Sequence, residues 1–184
     1  MKKLYYLILL LLIWSIPFPT YAEQWKICVA ENYYVSYSLP EGFKQMEANL
    51  PNVEFYAMDS ERSMLSGIMV MDARKNSRYN GEDLSFLTFN DASYARSAVQ
   101  GFINAMVRHG VRDVDCTFLD LLGQRCICIS GVQLINDIEF DNISFMFAKA
   151  PYIIAYNYIV PVASFEQEMD MIYYSIQTAS FDNI

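Results

Sequence analysis

The apolar positions between residues 111 and 160 fall into four β-rich runs separated by three turn signals, and the rest of the chain is organised around them. The signals are Leu122-Gly123, Asn136-Asp137 and Ala150-Pro151. Gly and Asn tolerate positive φ and Pro fixes its own, so each pair can reverse the chain. Connections this short join only antiparallel neighbours. The first run alternates, with Val114, Cys116 and Phe118 pointing one way and Asp113, Asp115 and Thr117 the other. Such alternation suits an edge or half-exposed strand. The later runs do not alternate: Cys126, Ile127, Cys128 and Ile129 are all apolar, as are Tyr152, Ile153, Ile154 and Ala155. A strand that is apolar on both faces has to be covered on both faces.

Helical periodicity supplies two candidates for the cover. Over residues 92–109, Tyr94, Ala98, Phe102 and Met106 form one i+4 row, and Ala95, Val99, Ile103 and Val107 form the next. Together they make one wide apolar stripe, with Asn90 or Asp91 as the N-cap and Gly110 as the stop. Over residues 163–175 the stripe is Phe165, Met169, Ile172, Tyr173 and Ile176. Ser164 is its candidate N-cap, and Glu166, Glu168 and Asp170 lie early, where the helix dipole favours acids. Residues 25–29, 33–39, 53–58 and 65–73 read as further strands. Residues 74–89 read as a loop, broken by Asn76, Ser77, Asn80 and Gly81. The expected fold is therefore α+β: an antiparallel β-sheet sandwiched between helices in three α/β/α layers.

Composition changes the picture at the N-terminus. Lys2 and Lys3 precede a short apolar core from Leu4 to Ile16, which Pro17 and Pro19 break, and Thr20-Tyr21-Ala22 places small residues where a signal peptidase reads. The run is shorter than the roughly 20 apolar residues of a membrane span. Residues 1–22 are thus expected to be a signal peptide, residues 23–184 a single domain, and the protein periplasmic or secreted. Removing residues 1–22 takes away Lys2 and Lys3 and no acid. That leaves 11 Lys and Arg against 21 Asp and Glu, a net charge of −10. Such a balance disfavours nucleic acid and anionic membrane surfaces as partners.

All four cysteines, Cys28, Cys116, Cys126 and Cys128, survive that cleavage, and in an oxidising compartment one or two disulfides are open to them. Cys126 and Cys128 share one strand face about 7 Å apart, too far to bond each other without distortion. A two-residue loop at Leu122-Gly123 puts Cys116 on the face of Ile127 and Ile129, whereas a three-residue loop puts it opposite Cys128. The first matches apolar with apolar and is preferred. The connectivity stays open, beside the reading of all four as buried small hydrophobes.

A family resemblance joins these elements. Tyr33-Tyr34-Val35-Ser36-Tyr37-Ser38-Leu39-Pro40-Glu41-Gly42-Phe43 resembles the extended strand followed by Pro-x-Gly-aromatic that opens PsbP-like and DcrB-like proteins. So does the order that follows: two strands, a long helix, a meander turning at Leu122-Gly123-Gln124, and a closing helix ending Tyr174-Ser175-Ile176. The superfamily includes the Mog-type Ran-binding proteins. The resemblance implies a sheet between helices and a bias toward binding and assembly roles, and it brings no catalytic motif.

Catalytic signatures are absent from the residues too. There is no Gly-x-Ser-x-Gly elbow and no Gly-rich phosphate loop. There is no Cys-x-x-Cys motif, and one histidine beside Cys126-x-Cys128 does not make a zinc set. His109, in the last turn of the first helix, suits the dipole there. The basic group Arg74, Lys75 and Arg78 reads as a solvated loop or a contact site. No cofactor or metal is expected. Asp137, Glu139 and Asp141, placed on one strand face by alternation, lack the loop and glycine of an EF-hand calcium site and are instead candidate partner-binding acids. Tyr156 and Tyr158 are the candidate aromatic anchors if exposed, although their strand is apolar on both faces and at least one should be buried. The expected function is an exported, non-enzymatic binding or accessory protein with a protein partner, basic in charge. An alternative is a periplasmic immunity or inhibitor protein that neutralises a toxin, and a third class is a hydrolase using a carboxylate pair.

Overall fold

The computed structural model describes residues 24–181; the expected signal peptide lies outside them. β1 (Trp25–Ala30) and β2 (Val35–Pro40) form a two-stranded hairpin. The main sheet is built from β3 (Lys44–Gln45), β4 (Val53–Asp59), β5 (Met64–Asp72), β6 (Arg112–Leu121), β7 (Gln124–Ile135), β8 (Ile138–Lys149) and β9 (Tyr152–Pro161). Its order is β3-β4-β5-β9-β8-β7-β6, antiparallel throughout. The two helices are α1 (Ala92–Arg108) and α2 (Phe165–Gln177).

The four-strand run folds as its turns require. Leu122 and Gly123 have φ of 54° and 73°, and Asn136 and Asp137 have 49° and 65°. Positive φ at both central residues matches the strand twist and closes a two-residue hairpin. Cys116 consequently lies opposite Ile129, and Thr117 opposite Cys128, which is the apolar-with-apolar register. All four cysteines are free thiols, so the described structure contains none of the disulfides left open above.

Alternate residues of the central strands feed two apolar clusters. Ile127, Ile129, Met146 and Ala155 pack with Val99, Phe102 and Met106 of α1. Cys126, Phe145, Phe147, Ile154, Tyr156 and Tyr158 pack with Tyr37 and Leu39 of the hairpin and with Ile172 and Ile176 of α2. The hairpin and α2 thus share this second cluster, where a helix alone was expected. Length explains why. Thirteen residues at 1.5 Å make a helix of about 20 Å, whereas seven strands about 4.8 Å apart span roughly 30 Å.

A buried polar chain fastens the hairpin, the sheet and α2 together. Ser66 Oγ donates to the Asn157 carbonyl at 3.1 Å, so at 2.7 Å the Tyr37 hydroxyl is the donor to Ser66 Oγ. Tyr158 donates to Ser175 Oγ at 2.9 Å, and Ser175 donates onward to the Ser38 carbonyl at 2.7 Å. Tyr156 reaches the Ser36 carbonyl at 3.3 Å. Past α2, Ser180 pairs with Ser36 in both directions at 2.9 Å, and Thr178 Oγ1 accepts from the Ser38 amide at 2.7 Å. Burial raises the Tyr37 and Tyr158 hydroxyls well above their ordinary range, which keeps them protonated as the donors this chain needs.

The Pro-x-Gly-aromatic signature has a local physical cause. Asp59 is buried and its Oδ1 accepts the amides of Glu61 and Arg62 at 3.0 and 3.1 Å, while Oδ2 takes Arg62 Nη1 at 2.6 Å. A Cβ at Gly42 would stand 2.5 Å from that same Oδ2. Arg62 Nε also lies 3.4 Å from Glu168 of α2. The turn after β2 and the β4–β5 turn therefore meet at one carboxylate, Arg62 links it to Glu168 of α2, and Phe43 is fully buried.

The helix ends differ from one another. Asp91 caps α1, accepting the Tyr94 amide at 2.7 Å, and Gly110 follows it at φ 83°. At α2 the expected cap fails, because the Ser164 hydroxyl donates backward to the Pro161 carbonyl at 3.2 Å. Residues 74–89 hold three 3-10 turns rather than plain loop. Asp72, Asn76 and Asp83 initiate them, each accepting the amide two residues on.

The two cover helices are not equivalent, and this predicts unequal mutational costs. Ile172 is fully buried, while Phe102 is only partly so. In denaturant titrations Ile172→Ala should lose about 2–5 kcal/mol, as fully buried large-to-small changes do, and Phe102→Ala clearly less. Equal losses would contradict this difference in burial.

Asp59 gives a pH prediction. Burial pushes its carboxyl up, but Arg62 and the two turn amides outweigh burial and hold it below the usual carboxylate range. A depressed folded value stabilises above the unfolded value near about 4 and is lost as pH falls through the folded value. Asp59→Asn should lower the denaturant midpoint at neutral pH and shrink its fall below about pH 4. Some fall should persist, since Arg74 holds Asp72 down in the same way.

Candidate functional site

Two places on the molecule combine exposed chemistry with a rigid support. The first is the tip of the β7–β8 hairpin. β6 stops pairing at Arg112↔Val132 and β9 at Pro161↔Phe140, yet the hairpin continues through Leu134↔Glu139 and Ile135↔Ile138. The tip therefore extends past both neighbouring strands. Leu134 is 58% exposed and Ile138 54%, with Asp137 and Glu139 exposed beside them.

The three expected acids are not equivalent here. Asp137 occupies the turn at φ 65°, so strand alternation does not carry it to the face of the other two. Glu139 pairs with Arg112 across the ladder. Asp141 lies further back, half-buried between Val132 and Val160, and burial followed by the Glu139 charge raises its carboxyl. Among the described residues, no group of three or more His, Cys, Asp or Glu side chains converges to hold a metal ion.

Tyr156 and Tyr158 must be removed from the candidate contact surface. Both are 0% exposed. Their rings meet Tyr37 at centroid distances of 5.4 and 6.3 Å, and the hairpin covers them. Among the described residues the exposed tyrosines are others: Tyr34, Tyr173 and Tyr174, the last against the Trp25 ring at 4.5 Å.

The second place is a cleft of about 500 Å³ between α1 and the end of β5. Its floor is Met71 and Ile153, and its helical wall is Tyr94, Ala98, Gly101 and Phe102. It exists because α1 packs mainly over β6 and β7 and leaves part of β5 and β9 uncovered. Lys75 and Arg78 line it, whereas Arg74 does not. The Arg74 guanidinium is committed to Asp72, at 2.9 and 2.8 Å, and to the Tyr152 hydroxyl at 2.7 Å. The basic group thus divides into one structural arginine and two cations at a cleft. Sequence reading found those cations but missed the cleft. Its one signal was the small residues Ser97, Gly101 and Ala105 along a single face of α1.

Burial raises all four thiols, Cys126 to about 12 and Cys128 to about 11, so they stay protonated at neutral pH. His109 is exposed past the end of α1, and its carbonyl accepts from Gln133 at 3.1 Å. No described helix is long and apolar enough to cross a membrane.

No family model matches the sequence, and no curated protein matches it either. Solved structures do match in shape. The solution structure of cyanobacterial PsbP (CyanoP) from Synechocystis superposes with a TM-score of 0.56 at 12% identity, covering 91% of this chain and 97% of that one. A crystal structure from Bacteroides thetaiotaomicron superposes with a TM-score of 0.53 at 9% identity, covering 86% of this chain and 48% of that one. At such identities the likeness concerns fold alone, and the fold of this chain is α+β and PsbP-like.

Proposed function

We propose that this is an exported, non-enzymatic binding protein that meets a basic protein partner through the tip of its β7–β8 hairpin. In this reading the sheet is the middle of three layers, with α1 on one face and α2 plus the β1–β2 hairpin on the other. The observation that carries it is the tip itself. Leu134 and Ile138 stand exposed on a ladder extending past both neighbours, flanked by Asp137 and Glu139. Exposed apolar side chains on a rigid support bind at low ordering cost. Flanking acids on an acidic chain speed the approach of a basic surface and reject an acidic one. Export is supported by the charged, apolar and small-residue order of residues 1–22. The PsbP-like fold supports the scaffold and leaves the partner's identity to experiment.

Two measurements test the reading. Protein recovered from the envelope fraction or medium should have the intact mass of residues 23–184; a retained N-terminus, or recovery only from cytoplasm, contradicts export. The partner captured from envelope extract should associate with the wild type at a rate that falls as salt rises. Asp137→Asn with Glu139→Lys keeps a residue that tolerates positive φ in the turn. It should slow association about tenfold at low salt with an unchanged circular dichroism spectrum. Leu134→Ala with Ile138→Ala should instead raise the dissociation rate by about tenfold. A folded charge variant that associates at the wild-type rate would remove the tip from the site.

A further inference from the structure

We infer that the cleft between α1 and β5 is a binding site for a single-chain amphiphile with an anionic head. The inference stands apart from the protein-docking reading, because it uses other residues and another kind of ligand. Three observations point the same way. The volume of about 500 Å³ falls within the roughly 300–1,000 Å³ of small-molecule sites. The floor and helical wall are apolar: Met71 and Ile153 below, Tyr94, Ala98 and Phe102 beside them. Met71, Ile153 and Phe102 are only half-buried, so an apolar tail laid along them removes their surface from water.

Charge fixes the head. The lining holds three charged side chains, Asp72, Lys75 and Arg78. Asp72 is neutralised by the two-point contact with Arg74. No ion pair among the described residues engages Lys75 or Arg78. Two cations outside any described ion pair therefore flank an apolar cleft, with Arg78 over the Tyr79 ring at 5.6 Å, on a chain whose net charge is −8. Glu82 and Asp83, the next acids along the loop, do not line the cleft. A carboxylate head would meet Lys75 and Arg78 while its alkyl chain follows α1 past Gly101.

Gly101 makes the test clean. A Cβ there meets nothing within 4 Å, so Gly101→Leu fills open space in the cleft and also favours the helix. The purified protein is titrated calorimetrically with decanoate below its micelle threshold, and with decanol and acetate as the neutral tail and the bare head. Decanoate should bind saturably at one site, decanol at least tenfold more weakly, and acetate not at all. Lys75→Ala with Arg78→Ala should weaken decanoate at least tenfold and leave decanol unchanged. Gly101→Leu should abolish binding of both while its melting temperature is kept or raised. Absence of saturable decanoate binding, or binding that survives Gly101→Leu, overturns the assignment. So does sedimentation showing a wild-type dimer that Gly101→Leu dissolves, since the cleft would then seat a second copy of the chain.

Discussion

The fold depends on one buried contact, where Tyr37 of the β1–β2 hairpin lies against Tyr156 and Tyr158 of the central strand β9. The hairpin shares no backbone ladder with the main sheet. Apart from an isolated bridge between Ser36 and Ser180, side chains hold it in place. Three large aromatic rings bring the apolar area that drives this attachment. Their hydroxyls would be costly to bury unpaired. Ser66, Ser175 and the Ser36 carbonyl take them up, and Ser175 donates onward to the Ser38 carbonyl. The network is therefore directional where apolar packing alone is not. It specifies where the hairpin sits and aligns the end of α2 with β2.

That arrangement determines what remains for binding. Tyr156 and Tyr158 cluster with the hairpin and α2, and Ile127, Ile129 and Ala155 with α1. Off-centre seating of α1 opens the cleft over Met71 and Ile153. The β7–β8 ladder outruns both neighbours and leaves Leu134 and Ile138 in solvent. The thiols are raised by burial, and the buried tyrosines are spent as structural donors. Tip and cleft both expose apolar surface beside charge, Asp137 at the tip and Lys75 and Arg78 at the cleft.

Much of this was legible in the sequence where the physics is local. Gly123 and Asn136 announced their turns because few residues adopt positive φ, and the pairing of Cys116 with Ile129 followed from matching apolar residues. The Asp91 cap and the Gly110 stop were legible for the same reason. Most of what failed was non-local. Alternation in β2 says that Val35, Tyr37 and Leu39 face inward, but not that they face a second sheet. Tyr156 and Tyr158 read equally well as core or as interface, since tyrosine suits both, and only the hairpin's position decides. Asp137 was assigned to a strand face by alternation that its own positive φ interrupts. The cleft depends on where a helix settles across a sheet, which no single stretch of sequence encodes.

Native-state hydrogen exchange tests the fastening of the hairpin most directly. Amides open in cooperative units whose free energies can be read one by one. If the tyrosine–serine network binds the hairpin to the sheet, the protected amides of Val35 through Leu39 should open together with those of Tyr156 and Tyr158, at the free energy of global unfolding. Replacing Tyr37 by Ala should detach the β2 amides from that unit. Exchange of β2 by a separate, low-energy opening in the wild type, with β9 still protected, would show that the hairpin is a loosely held appendage and contradict the account.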